Sequence, residues 1–219
     1  MSKLLRNWTA ALTLSVSAII SPAFAHPHVF MGGGVDFVLR DGSMLEALEV
    51  TWVYDAFETL YILSYHDLTL NDAGGLDEKD RLELVRQRSD WPEDFDGSAH
   101  LSVDGTLQSL EWPENLDAHL IDGQLTMTFR RKLTTPLDLA QSDAEVAFYE
   151  STYFFAFSIT QKPNFLGSAE SCTANVIQFD PTAKTATLKK LLARLSREET
   201  PEDENIGAYF ADRIAVACE

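Results

Sequence analysis

Val29-Phe30-Met31-Gly32-Gly33-Gly34-Val35-Asp36-Phe37-Val38-Leu39, then Asp41-Gly42, then Met44-Leu45-Glu46-Ala47-Leu48-Glu49-Val50-Thr51-Trp52-Val53-Tyr54, reads as strand, turn, strand. Both long runs are rich in β-branched and aromatic side chains, which pack well on a pleated surface. Asp-Gly between two such runs signals a hairpin, because glycine accepts the positive φ of a tight turn without steric penalty. Gly32-Gly33-Gly34 interrupts the first strand. With no helix behind it and no Lys-Ser/Thr, it is not a phosphate loop; it marks a bulge or a close approach by another backbone or a ligand.

The same signal recurs downstream. Asp104-Gly105 separates Leu101–Val103 from Thr106–Leu110, and Asp122-Gly123 separates His119–Ile121 from Gln124–Phe129. In the last run Leu125, Met127 and Phe129 alternate with Thr126 and Thr128, the period of a half-buried strand. Val146–Tyr149, Tyr153–Thr160 and Cys172–Phe179 supply further strands, and alternation assigns Tyr153, Phe154, Phe155 and Phe157 to the core. Residues 55–91 read as a helix-loop-helix insertion. Its first helix, Ala56–Ser64, is expected to pack Phe57, Leu60, Tyr61 and Leu63, and its second, Asp77–Trp91, to pack Leu82 and Val85. Residues 184–219 read as C-terminal helices, with Leu188, Leu191, Leu192 and Leu195 at helical spacing and Ile206–Ala217 as a second helix after the acidic linker 197–205. The expected fold class is α+β: an antiparallel β-sheet built from hairpins, with helices packed on one side.

The N-terminus carries an export signal. Lys3 and Arg6 precede a short apolar stretch from Trp8 to Ile20, and Pro22 precedes the small residues Ala23 and Ala25. Residues 1–25 are therefore expected to be a secretory signal peptide, and residues 26–219 a single periplasmic domain. The apolar stretch is shorter than a membrane-spanning helix, so the domain is not expected to be membrane-embedded. Cleavage after Ala25 removes Lys3 and Arg6 and no acids, taking the formal charge from −17 to −19. So acidic a surface argues against nucleic acid and anionic membrane as partners. The two cysteines, Cys172 and Cys218, fall in the exported part, where an even pair most simply forms one disulfide. Without any C-x-x-C pair they do not suggest a thiolate metal site.

Cleavage after Ala25 would make His26 the first residue. Its free α-amine, the His26 ring and the His28 ring would then lie close together. Pro27 holds the chain extended there, and residues two apart on an extended chain face the same way. Imidazole and amine nitrogens suit zinc, copper and nickel. Two histidines seldom complete a site. Asp55, at the end of the strand paired to the histidine-bearing one, and His66, beside Asp67, are the expected additional ligands. His100 and His119 read as ordinary hydrogen-bonded or surface histidines. A candidate cation loop runs from Asp67 to Asp80 and includes Asn71, Asp77 and Asp80. It has the outline of an EF-hand. Starting at Thr69 puts Gly74 at the sixth position but Ala73 at the fifth, and starting at Asp67 loses the glycine, so calcium is not the expected occupant. A turn held by its own Asn and Asp side chains is the simpler reading.

His26-Pro27-His28-Val29-Phe30, Trp52-Val53-Tyr54-Asp55, the Asn/Asp/Gly loop at 67–80, Phe148-Tyr149-Glu150-Ser151-Thr152-Tyr153-Phe154 and the two late cysteines occur in this order. In this the chain resembles a bacterial family of uncharacterised periplasmic proteins, typically encoded beside nickel/cobalt-exporter-like permeases and including a zinc-utilisation protein. The resemblance implies a metal-binding accessory to an inner-membrane metal permease, with His26 and His28 its most direct ligands and zinc, then nickel, cobalt or copper, as the ion. Glu150 stands where the family usually has Asp. Two other classes compete. One is a metal-independent docking module for a permease. The other is a copper histidine-brace redox enzyme, which would need a third histidine facing the first. No Gly-x-Ser-x-Gly or His-Glu-x-x-His occurs, and the expectation is that the protein is not an enzyme.

Overall fold

The computed structural model describes residues 27–91, 95, 97–168, 171–195, 199 and 205–219. Strand β1 (Val29–Leu39) turns at Asp41-Gly42 into β2 (Met44–Tyr54), with Met31 opposite Tyr54 and Phe37 opposite Leu48. The same construction of Asp-Gly turns joins β3 (Ala99–Val103) to β4 (Thr106–Leu107) and β5 (Glu114–Ile121) to β6 (Gln124–Asp138). In both of these turns Asp and Gly alike take positive φ, as Asp104, Gly105, Asp122 and Gly123 do, the backbone that matches the twist of a two-residue hairpin.

The strands form two sheets rather than one. The first has the order β5-β6-β2-β1-β8, where β8 is Phe155–Ile159, with the short β9 (Phe165–Leu166) also on β1. The second has the order β10-β11-β7-β3-β4, where β7 is Ala144–Phe148, β10 Cys172–Ile177 and β11 Asp212–Cys218. Pairing is antiparallel except for β8 and β9, which run parallel to β1. One core lies between the sheets. Val35, Phe37, Leu48, Val50 and Phe129 come from the first, and Leu101, Val146, Phe148, Ile214 and Val216 from the second, all buried. Asp212 ties the layers together, its carboxylate accepting hydrogen bonds from Ile159 N and Phe179 N at 2.8 Å each. The fold is α+β, and it is not a barrel.

The glycine run marks a close backbone approach. A Cβ on Gly33 would stand 1.9 Å from Thr51 O, and Gly33 O accepts from Thr160 N (2.8 Å) and Gln161 N (3.1 Å). Thr160 Oγ1 in turn accepts from Gly33 N at 3.0 Å. The expected disulfide is present: Cys172 and Cys218 face each other directly across β10 and β11.

Four helical expectations are corrected. The span Ile206–Ala217 is not a helix: a short 3₁₀ segment, Ile206–Phe210, leads into β11. The alanines at 211, 215 and 217 favour a helical reading, but Ile214 and Val216 alternate with half-buried neighbours in β11, which is paired on both sides, to β10 and β7, in the second sheet. Helix α1 (Ala56–Tyr65) buries Thr59, Ile62 and Leu63 and turns Phe57, Leu60 and Tyr61 outward. Thr59 wins the inward place because its hydroxyl accepts from Leu125 N (3.0 Å) at the start of β6. Helix α2 (Glu78–Arg88) buries Leu84 with Val85 partly covered, while Leu82 is exposed. Its orientation is set by Arg81, whose guanidinium bonds Asp117 on β5. Helix α3 (Ala183–Leu192) begins with a capping box at Thr182 and Thr185 and packs Leu188 and Leu192, not Leu191, near Ile206 and Phe210.

Candidate functional site

Strand alternation places Met31, Trp52, Tyr54, Met127 and Phe157 on the inner face of the first sheet, near one end of the sandwich. Together with Arg88 at the end of α2, with Asp90, Trp91, Phe95, Gly97 and Ser98, and with the loop 150–155, they line a cavity of about 590 Å³. Its wall is aromatic. The Trp52 ring sits 5.8 Å from Trp91, 5.0 Å from Phe129 and 5.8 Å from Phe157. Trp52 Nε1 donates to Ser98 Oγ at 2.6 Å, so the indole is fixed in orientation as well as packed. Burial pushes the Tyr54 hydroxyl up to about 12, partly offset by the charge of Arg88.

The loop that closes one side of this cavity is organised by Glu150. Its carboxylate accepts from Thr152 N (2.8 Å), Thr152 Oγ1 (3.0 Å), Phe154 N (2.8 Å) and Phe155 N (3.4 Å). The side chain must reach an amide four residues on. Within this curled loop Tyr153 takes φ of +61°, a costly conformation for a bulky residue, and its ring stacks on Phe210 at 4.3 Å. Gly207 lies against the loop, with its N donating to Ser151 O at 2.9 Å.

The loop holds the start of the described chain. Phe154 O accepts from His28 N (2.9 Å) and Val29 N (3.3 Å), and the His28 ring packs on that of Phe154 at 4.7 Å. His28 is half-buried there, beside the cavity wall. His26 and the expected signal segment 1–25 lie outside the described residues.

The remaining expected ligands do not converge on His28. Asp55 is the N-cap of α1, its Oδ1 accepting from Glu58 N at 2.7 Å. His66 is at the opposite, C-terminal cap of the same ten-residue helix. At 1.5 Å per residue the two ends are roughly 15 Å apart, too far to share one ion whose ligand bonds are about 2 Å long. The His66 ring lies edge-on to Tyr65 at 5.0 Å, and burial, with the nearby Arg88 charge, holds its pKa below the usual histidine value. Among the described residues no three His, Cys, Asp or Glu side chains converge as a metal-binding group. Asp55 and His66 therefore cannot both join the N-terminal histidines around one ion; Asp55, next to Tyr54 opposite Met31, stays on the side of the N-terminus.

In the 67–80 loop Asn71 Oδ1 accepts from Ala73 N and Gly75 N at 3.0 Å each, and its Nδ2 donates to Leu76 O at 3.2 Å. The turn is thus closed by its own amide, with Leu70 bridged to Leu76 and Gly74 at positive φ. Asp77 is the N-cap of α2 and Asp80 lies in its first turn. His100 bonds Tyr149 O (3.2 Å) and stacks on that ring, and His119 bonds Asp117 (3.1 Å), as ordinary histidines do.

The cavity itself was not legible in the sequence. Its signals were Trp52, Trp91 and Phe95, which are far apart in the chain. Phe154, Phe155 and Phe157, expected as plain core, contribute to its wall, and of these Phe157 alone is fully buried. No described helix is long and apolar enough to cross a membrane.

Residues 11–218 match the family described as "Protein of unknown function (DUF1007)". An uncharacterised protein of Haemophilus influenzae is similar at 20% identity over 197 residues, covering 89% of this chain and 92% of that one.

Proposed function

We infer that this chain, which belongs to the DUF1007 family of proteins of unknown function, is a periplasmic metal-binding accessory that hands a divalent transition ion to an inner-membrane permease. The ion is zinc first, with nickel, cobalt or copper as weaker candidates. The observation that carries the reading is the anchoring of His28: its backbone is bonded to Phe154 O and its ring packed on Phe154, so the chain is held in place just two residues after His26. After cleavage at Ala25 the donors would be the α-amine, the His26 ring and the His28 ring. Three nitrogens leave a four-coordinate zinc with one open position. An open position suits transfer, because an incoming ligand can bind before the old ones leave.

Elemental analysis of the processed protein, taken from the periplasm, tests this. Roughly one transition ion per chain is expected, falling to near zero in a His26→Ala, His28→Ala double variant. One extra residue ahead of His26 should weaken binding by separating the amine from its ring. A metal-free protein, or one whose metal content ignores both rings, would overturn the reading.

A second reading, a metal-independent docking module, is favoured by α1. Phe57, Leu60, Tyr61 and Tyr65 form an exposed helical face without a charge, Phe57 at 78% and Tyr65 at 70% exposure. On a chain of net charge −17 such a face fits an apolar protein surface rimmed by Lys and Arg, as a permease's extracytoplasmic loops could supply, better than a second acidic copy. Co-purification with the permease that survives the double histidine variant and is lost in Phe57→Ser, Tyr65→Ser would support it.

A further inference from the structure

The cavity contains two polar groups that nothing in the fold uses. Arg88 is half-buried at the end of α2, and neither its guanidinium nor the Tyr54 hydroxyl makes a hydrogen bond or ion pair among the described residues. That is unexpected here. The chain has 34 acids to 17 Lys and Arg, and Arg40, Arg81, Arg86, Arg130 and Arg213 each take a carboxylate. Arg88 makes no such ion pair, although the charge of Glu58 on α1 acts on it through space, and it lines the aromatic cavity.

We propose that this cavity is a binding site for a small aromatic carboxylate, whose ring lies against Trp52, Trp91 and Phe154 and whose carboxylate is read by Arg88 and Tyr54. The volume of about 590 Å³ falls within the usual range for small-ligand pockets, apolar walls with a few polar groups to orient the ligand. Flat rings suit a wall of this kind, where offset and edge contacts are both available. A guanidinium presents two parallel N–H donors that match a carboxylate, and this charge-assisted pair is stronger than a neutral hydrogen bond. A cationic ligand would meet the Arg88 charge, and a hydrocarbon would leave both polar groups unused. The carboxylate of Glu150 does not oppose an anion strongly, since four donors in its own loop already hold it. Asp90, on the cavity lining, is exposed to water and screened by it. The high pKa of Tyr54 keeps its hydroxyl protonated at neutral pH, as a donor must be. The site needs no metal and stands apart from the histidine reading.

The test is calorimetric titration of the processed, disulfide-intact protein in EDTA with indole-3-acetate, 2-naphthoate and phenylacetate, beside indole-3-acetamide. Saturable one-to-one binding of at least one acid is expected, with the neutral amide roughly 10-fold weaker or worse than its acid. Arg88→Gln should weaken the acid roughly 10- to 100-fold and leave the amide unchanged, and Tyr54→Phe should weaken the acid several-fold. Circular dichroism and the thermal midpoint of each variant establish that it is folded. The proposal fails if none of the three acids binds saturably, if the folded Arg88→Gln variant binds them as wild type does, or if amide and acid bind alike.

Discussion

Residues 70–76 and residues 150–155 are both short loops gathered around one polar side chain, and the sequence offers the first as a place for a cation. In each, the side-chain oxygen that a cation would need is already accepting backbone N–H groups: Asn71 Oδ1 from Ala73 and Gly75, Glu150 from Thr152, Phe154 and Phe155. The difference lies in what is attached. The Asn71 loop closes on itself at the surface. The Glu150 loop passes its order on, fixing the Phe154 carbonyl that receives His28 and Val29 and forming one wall of the cavity. A side chain can thus be prominent in a functional region without touching any ligand, by holding the residue that positions one.

The largest effect that would sharpen this contrast is expected at Gly207. A Cβ there would stand 1.8 Å from Glu150 O and 2.9 Å from its carbonyl carbon, both backbone atoms with little room to yield. Gly207→Ala is expected to destabilise the protein by about 3 kcal/mol or more, as overpacking against a rigid neighbour does, measured by urea denaturation. A change under about 1 kcal/mol would show the loop to be loose and would break the contrast with residues 70–76.

Next in size is Glu150→Gln. It keeps the length but replaces a charged acceptor of four hydrogen bonds with a neutral group whose NH₂ meets other donors. A loss of about 2 kcal/mol is expected, together, on the proposed function, with weaker metal binding at the N-terminus. Loosening the loop should also admit water to the cavity, and Tyr54 reports that. Its folded pKa of about 12 stands above the ordinary value of 10. The stabilisation linked to its bound proton is therefore fully present below about pH 10 and lost as pH rises toward 12. In Glu150→Gln the absorbance titration of Tyr54 should move back toward 10. A titration unchanged from wild type would separate loop from cavity.

Asn71→Ala supplies the other side of the comparison. Three partly exposed hydrogen bonds are lost, so roughly 1 kcal/mol is expected, with Tyr54 titration and metal content unchanged. Either of those readouts moving would mean that the 70–76 turn is coupled to the site after all.

The sequence carried the strand framework well because period-two alternation and Asp-Gly turns are local signals. The hairpin from Val29 to Tyr54, the two later ones and the Cys172–Cys218 pairing are all read from neighbours in the chain or from a count. What it did not carry depends on distant partners. That the strands divide into two sheets is decided by β8 pairing parallel to β1 and by β11 lying between β10 and β7. Ile206–Ala217 reads as helical by composition, and only the pairing of Ile214 with Val146 and Val176 makes it a strand. Asp55 and His66 look like partners at one site until the helix between them is given its length. The role of Glu150 is equally hidden, since a carboxylate that accepts amides and one that grips an ion have the same letter.

Helix α1 shows the same limit most simply. Its sequence contains apolar residues on more than one face, and periodicity alone offers Phe57, Leu60 and Tyr61, with Leu63, as the packed set. The hydroxyl of Thr59, bonded to Leu125 N, turns the helix so that Ile62 and Leu63 go inward and those three remain outside with Tyr65. This fixes the smallest stability effect. Because these rings lose little water-exposed area on folding, Phe57→Ser with Tyr65→Ser should change unfolding free energy by no more than about 0.5 kcal/mol, far below either loop variant. If the double variant costs several kcal/mol, α1 packs by the sequence periodicity and the exposed face does not exist. If stability holds while solubility rises, the face is free in the isolated protein and available to a partner.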